Sequence, residues 1–212
     1  DVVLICVPTP VEGLTQDLRP LYDALKLVGP SQVAIIKSTL SPGTTDACQA
    51  IFPDIRIVCS PEFLSRDTAD QDVESPILTL IGLPQGMEAE VARKTAHEFL
   101  TVMRHIPGQT FTMSATEAEI VKMAHNASGV INTLVYNVLF DLTNRAKGAW
   151  VRVQEALQHD PYLASQYSTV VHRGGRGAGG PCFVKDFETF RRAVGDHPSA
   201  DFLLQAVLYN ND

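Results

Sequence analysis

The chain has 212 residues, 45% of them apolar and 19% charged, enough for one large domain or two small ones with a buried core and unlike a disordered or disulfide-dense chain. Lys and Arg total 17 against 24 Asp and Glu, a formal charge of −7, so a phosphate backbone is repelled on average and nucleic acid is not an expected partner. No apolar run reaches the ~18–20 residues of a bilayer span and no basic-then-apolar leader opens the chain, so no membrane association is expected.

In chain order, Val2 to Val7 is a continuous apolar run that predicts a strand covered on both faces, ended by Pro8-Thr9-Pro10. Leu18, Leu21, Tyr22, Leu25 and Val28 share one helical face; Val33 to Ile36 predicts the second strand, Thr45 to Ile51 a helix, Ile55 to Cys59 the third strand, Ile77 to Ile81 the fourth and Glu88 to Val102 a helix. Strands alternating with helices predict a parallel sheet in an α/β fold. Near Thr112 the pattern changes. Ser114 and Glu117 have capping-box spacing, and the Pro-free stretch to Lys147 predicts one helix of about 30 residues. That helix is apolar on more than one side, which implies burial in a core or against a second subunit. Helices near Val151 to Gln158 and from about Cys182 to Val194 follow. The expected division is 1–112 and 113–212, the second part all helical.

Thr9, Ser38-Thr39 and Glu62 each fall just past the carboxyl end of a predicted strand, where ligands bind open α/β sheets; the alternative is plain turn chemistry and a solvated acid. Gly175 to Gly180 matches GxGxxG, yet it precedes the last helix with no strand after it, so it reads as a loop whose backbone approaches a ligand, or as a linker. Cys182, at a predicted helix start with Lys185 nearby, is the candidate nucleophile among Cys6, Cys48, Cys59 and Cys182. These cysteines form no CxxC pair and lack His at metal-ligand spacing, so no metal is expected and reduced thiols in a cytoplasm fit. Asp186 shares a helical face with Cys182, and Lys122 shares one with Asn126, an ammonium and an amide suited to a developing oxyanion.

Val7-Pro8-Thr9-Pro10, Lys37-Ser38-Thr39 through Thr45, Ser60-Pro61-Glu62-Phe63-Leu64, Glu117 to Asn126 and Gly177 to Asp186 resemble, in order, the motifs of the UDP-glucose/GDP-mannose dehydrogenase family. Ser-Pro-Glu-Phe-Leu looks most like the branch acting on UDP-glucose. The resemblance implies the later strands of an NAD-binding Rossmann domain, then a helical central domain that dimerises through the 114–147 helix. The chain begins at Asp1 without Met, and the resemblance implies that the dinucleotide fingerprint precedes it and a nucleotide-sugar domain follows, so this piece alone is expected to be a poor enzyme. The implied reaction is two NAD-dependent oxidations of a sugar C6 alcohol to a carboxylate, through a thiohemiacetal and a thioester on cysteine.

By the same resemblance Cys182 is the nucleophile, Lys122 and Asn126 stabilise the oxyanion, Thr39 and Asp186 hold a water, and Glu62 is the base for hydrolysis. Val7, Pro8, Thr9, Thr39, Glu62 and Lys185 contact NAD, while Phe63, Leu64, Lys122, Asn126 and Gly179 contact the sugar nucleotide. Two positions depart from the family pattern: Arg66 stands where a second Glu is common, and Ala178 where an aromatic is usual. UDP-N-acetylmannosamine or GDP-mannose as substrate, a non-catalytic dimerisation module, and a thiol-dependent hydrolase pairing Cys182 with His172 or His197 are the alternatives.

Overall fold

A computed structural model of the chain describes residues 2–12, 15–65, 68–103, 109–163, 167–172, 175–179, 181–195 and 205. The apolar runs fold as Val2–Ile5 (β1), a small hairpin of Val11–Glu12 (β2) and Thr15–Gln16 (β3), Arg19–Leu25 (α1), Val33–Ile36 (β4), Thr44–Ile51 (α2) and Arg56–Cys59 (β5). Then come Ala69–Glu74 (α3), Leu78–Leu83 (β6), Ala89–Val102 (α4) and Gln109–Ser114 (β7). Ala115–Arg145 (α5) is a helix of 31 residues, followed by Trp150–Gln158 (α6), a ladder of Val171–His172 (β8) with Gly175–Arg176 (β9), and Pro181–Val194 (α7). The chain divides into two compact units, Asp1–Met123 and Ala124–Asp212, the division falling inside α5.

In the first unit the sheet order is β1-β4-β5-β6-β7. Every residue of β4 is fully buried because both sheet faces are covered. Ala34 and Ile36 face a cluster with Leu21 and Leu25 of α1 and Cys48 of α2, whereas Val33 and Ile35 face Phe99 of α4. This period-two sharing is why β4 reads as an unbroken apolar run rather than an alternating one.

The expected all-parallel sheet needs correction. β1, β4 and β5 are parallel, but β6 meets β5 antiparallel at Cys59↔Gly82, and β7 runs parallel to β6. A parallel return requires a crossover layer packed on the sheet, and α3 buries none of its six residues. The helix between β6 and β7 buries Thr95 and Phe99 and does supply such a layer. β7 itself escaped the sequence reading because its first four residues are exposed, Phe111 among them.

The capping box opens α5 as expected: Glu117 Oε2 accepts from Ser114 N at 2.8 Å and Ser114 Oγ at 2.7 Å, and Glu117 N donates to Ser114 Oγ at 3.3 Å. Those hydrogen bonds hold the Glu117 carboxyl below its ordinary range. The start of α5 docks on β5 and β6 through Ala115 and Ala118, and Gly82 permits the approach, since a Cβ there would stand 2.8 Å from Ala118 Cβ.

In the second unit Ala127, Val130 and Leu134, spaced three and four residues apart along α5, pack on Phe183 and Phe187 of α7. The expected all-helical part also contains the β8–β9 ladder. Its Arg176 donates to Asn137 Oδ1 at 2.7 Å and to the Asn137 carbonyl at 3.1 Å, pairs with Asp141, and lies 5.6 Å from the Phe140 ring centroid. The Gly-rich segment is thereby pinned to α5 instead of hanging as a linker. Val135, Val138 and Leu142 leave an exposed apolar stripe on α5. Among the described residues no helix is long and apolar enough to cross a membrane.

Candidate functional site

Parallel pairing in register, Ile5↔Ile36 and Ile36↔Cys59, brings the carboxyl ends of β1, β4 and β5 level. The ladder continues past them, because Lys37 N donates to Ile5 O and Ser60 N to Ile36 O, each at 2.9 Å. The segments that follow are therefore delivered side by side. Ser38 Oγ donates to Val7 O at 2.6 Å and accepts from Val7 N at 2.9 Å, closing the two loops together. Thr9 Oγ1 donates to Thr39 O at 2.8 Å, so two residues expected at one site do meet.

Gln16, which sequence reasoning passed over, clamps the same loop: its Nε2 donates to Thr39 O at 2.9 Å and its Oε1 accepts from Ser41 N at 3.0 Å. Its only sequence signal was a polar side chain near the Pro-rich turn. Around these contacts Thr9 and Ser38 are buried, Val7 and Thr39 half-buried, and Pro8 and Cys6 exposed.

Beside this loop Glu62 is a partly exposed acid held in an ion pair. Its Oε1 lies 2.5 Å from Lys37 Nζ, which also donates to Ser60 Oγ at 3.2 Å. Lys37 was legible as part of the Lys-Ser-Thr motif, but its partner was not. Phe63 is buried with Lys122 Nζ 5.2 Å from its ring centroid, a cation–π contact, and Leu64 is half-buried.

A second group that sequence reasoning missed sits under the loop. Glu119 is 1% exposed and accepts from Gly43 N at 2.6 Å, Thr45 N at 2.8 Å and Thr45 Oγ1 at 2.6 Å. These amides open α2, where a carboxylate satisfies donors that have no intrahelical partner and meets the positive end of the helix dipole. Gly43 supplies the left-handed turn with φ of 86°. Burial nonetheless pushes the Glu119 carboxyl up, with Asp46 adding to the rise against the donated hydrogen bonds.

In the second unit, Asp186 is 2% exposed and its Oδ2 accepts from Asn126 Nδ2 at 2.5 Å. Its Oδ1 lies at ion-pair distance, 2.8 Å, from Lys185 Nζ, without the geometry of a hydrogen bond. Lys122 and Asn126 are one turn apart on α5 and so share a face. Gly179 is half-buried, and Ala178 is buried in the Phe183–Phe187 cluster. Cys182 is the second residue of α7, one turn before Asp186. The Cys182 and His172 side chains, and all of His197 and Arg66, lie outside the described residues.

Of the other thiols, burial pushes Cys48 up to about 11 and Cys59 up to about 12, as expected for inert apolar cysteines. What the arrangement offers is a set of uncharged hydroxyls and amides at strand ends, an anchored carboxylate at Glu62, and a buried amide–carboxylate pair on the helices.

Residues 1–100 match the NAD-binding domain of the UDP-glucose/GDP-mannose dehydrogenase family, and residues 116–212 match its central domain. The UDP-glucose 6-dehydrogenase of Rickettsia conorii is 25% identical over 221 residues, with 100% of this chain and 49% of the relative covered. The UDP-N-acetyl-D-mannosamine dehydrogenase of Pyrococcus horikoshii is 28% identical over 200 residues, covering 88% of this chain and 44% of the relative. The solved UDP-glucose dehydrogenase of Pyrobaculum islandicum superposes with a TM-score of 0.82 at 28% identity, covering all of this chain and 50% of that one. The chain thus spans about half the length of the relatives it matches.

Proposed function

The chain belongs to the UDP-glucose/GDP-mannose dehydrogenase family, and from that premise we propose that the full-length protein oxidises the C6 alcohol of UDP-glucose to a carboxylate in two NAD-dependent steps through Cys182. The observation that carries the reading is the buried Asn126–Asp186 contact at 2.5 Å, with Asp186 one turn after Cys182.

The strand-end residues suit a nicotinamide dinucleotide: the Thr9 and Thr39 hydroxyls, the half-buried Val7 and the exposed Pro8 are uncharged, and the carboxyl ends of parallel strands are where such ligands bind. NAD, when bound, supplies the hydride acceptor. Val7, Pro8, Thr9, Thr39, Glu62 and Lys185 would hold it, in the proposed division at 1–112 and 113–212. Phe63, Leu64 and Gly179 would hold the sugar nucleotide.

The chain's own groups then have separate tasks. Lys122 and Asn126 stabilise the alkoxide as C6 loses hydride, and again the oxyanion of each tetrahedral adduct. Thr39 and Asp186 orient the water that relays the C6 hydroxyl proton. The Cys182 thiolate adds to the aldehyde, giving a thiohemiacetal whose second oxidation leaves a thioester. Glu62 activates the water that releases the acid.

The relative acting on UDP-N-acetyl-D-mannosamine keeps that sugar open as a second substrate. The exposed stripe of Val135, Val138 and Leu142 supports association of two chains through α5.

The test is NADH production by the full-length protein from UDP-glucose, UDP-N-acetylmannosamine and GDP-mannose, with Cys182→Ser as control. Two NADH per UDP-glucose, lost in the control, is the expected result. Turnover of another sugar alone overturns the substrate, and a folded dimer inert toward all three overturns the enzyme reading in favour of a dimerisation module.

A further inference from the structure

We propose that Lys37 is a positioning residue for Glu62, fixing its carboxylate for hydrolysis of the acyl-enzyme; the proposal deepens the functional reading above and rests on it. Three observations converge on Lys37. Its backbone and that of Ser60 are locked by the ladder hydrogen bonds that run past β4 and β5. Its Nζ reaches both polar side chains of the neighbouring segment, Glu62 Oε1 at 2.5 Å and Ser60 Oγ at 3.2 Å. And the Lys37 side chain is only 9% exposed, whereas that of Glu62 is 38% exposed.

The asymmetry in exposure is informative. An ordinary surface ion pair has both partners in water and contributes little. Here the cation has left water, a cost that only close pairing and hydrogen bonding offset, while the anion it holds still faces outward. The arrangement spends a desolvated charge on immobilising an accessible carboxylate, which is the requirement for a general base that must meet water at one geometry.

With Oε1 committed to the ammonium, proton uptake falls to Oε2. That oxygen takes a proton from water as the water oxygen bonds to the thioester carbonyl carbon; the C–S bond then breaks, its electron pair leaving on the Cys182 sulfur. The sugar leaves as a carboxylate and its second proton passes to solvent, so no oxidant is consumed. Glu62 is among the residues proposed to hold NAD, but it takes neither the hydride nor the C6 proton, so loss of Lys37 acts mainly on release and far less on oxidation.

The experiment is rapid-mixing kinetics on the full-length protein with UDP-glucose and NAD, with Lys37→Met, Lys37→Arg, Glu62→Gln and the Lys37→Met/Glu62→Gln double variant. Lys37→Met is expected to keep a burst of two NADH per site while its steady-state rate falls about 100-fold, with a sugar-acyl adduct on Cys182 visible by intact-mass spectrometry. Lys37→Arg should restore most of the rate, and the double variant should be no slower than Glu62→Gln alone. If Lys37→Met does not fold, Lys37→Gln, which removes the ammonium and keeps a polar side chain at the buried position, carries the same comparison.

Equal loss of burst and steady state, or multiplicative losses in the double variant, overturns the proposal. A wild-type protein that makes no NADH from any nucleotide sugar fails the underlying reading instead, and the two failures are read on different proteins.

Discussion

The two units bury a carboxylate in contrasting ways. In the first, Glu119 accepts three hydrogen bonds, two of them from backbone amides at the start of α2. In the second, Asp186 accepts one from a side-chain amide, and its other oxygen has an ammonium at ion-pair distance without hydrogen-bonding geometry. A carboxylate saturated by backbone donors is a structural fastener, since those donors would otherwise be orphaned. One with a single side-chain hydrogen bond and an ion-pair contact satisfies no orphaned backbone donor, so its burial is not explained as a fastener. The contrast separates a residue that builds the loop after β4 from one that the proposed function uses in the chemistry.

The largest effect should come from Asn126→Ala. Loss of one oxyanion donor is expected to lower kcat by roughly 10²–10³-fold, and the stranded Asp186 to cost about 1–3 kcal/mol of stability. Turnover of UDP-glucose and urea unfolding measure the two, and an unchanged kcat would dissolve the contrast.

Glu119→Ala should act in the opposite proportion, costing about 1–3 kcal/mol for each buried donor left bare while changing kcat far less once the protein is folded. Glu119→Gln should recover part of that stability. The sign of its pH dependence follows from burial: over the window above the carboxyl's ordinary value of 4.5 the folded chain keeps a proton that the unfolded chain has lost. The proton-linked stability is full on the acid side and declines as pH rises through the raised value. Urea midpoints across that window should fall for wild type and stay level for Glu119→Gln. A kcat loss in Glu119→Gln equal to that of Asn126→Ala, at unchanged stability, would make Glu119 part of the chemistry and break the contrast.

How much of this was legible beforehand differs by kind of signal. Apolar runs marked β1, β4 and β5, fully covered on both faces at β4 whereas Leu4 of the edge strand β1 is exposed, and the Ser114–Glu117 box marked the start of α5 because its bonds are local. The direction of β6 was not legible: it depends on α3 lacking a buried face, which six polar-rich residues do not announce. At the site, Thr9 meeting Thr39 followed from strand ends in register. The Lys37–Glu62 and Thr45–Glu119 contacts join residues 25 and 74 positions apart through packing that no spacing rule encodes. Glu119 was further masked because Glu117, two residues earlier, already explained an acid at the start of the helix.

Two glycines give the smallest and most discriminating test of the same division of labour. At Gly82 an added Cβ would stand 2.8 Å from Ala118 Cβ, 2.9 Å from the Cys59 carbonyl and 3.0 Å from Ala115 Cα, atoms of the packed framework that shift only with their elements. Gly82→Ala should cost about 1–3 kcal/mol, with kcat little changed in the fraction that stays folded. At Gly129 the added Cβ would meet Phe183 Cζ at 2.7 Å and Tyr167 Cδ2 and Cε2 at 3.1 Å, the far ends of two rings. The clash falls on side-chain atoms that can shift without moving a backbone, and alanine within a helix regains about 0.5–1 kcal/mol over glycine, so Gly129→Ala should lower the urea midpoint less than Gly82→Ala does. Its displaced ring belongs to the residue after Cys182 on α7, so kcat should fall more than stability does. Were Gly129→Ala instead to unfold the protein as readily as Gly82→Ala with kcat intact, the second unit would be as rigid a framework as the first, and the under-satisfied Asp186 would need another explanation.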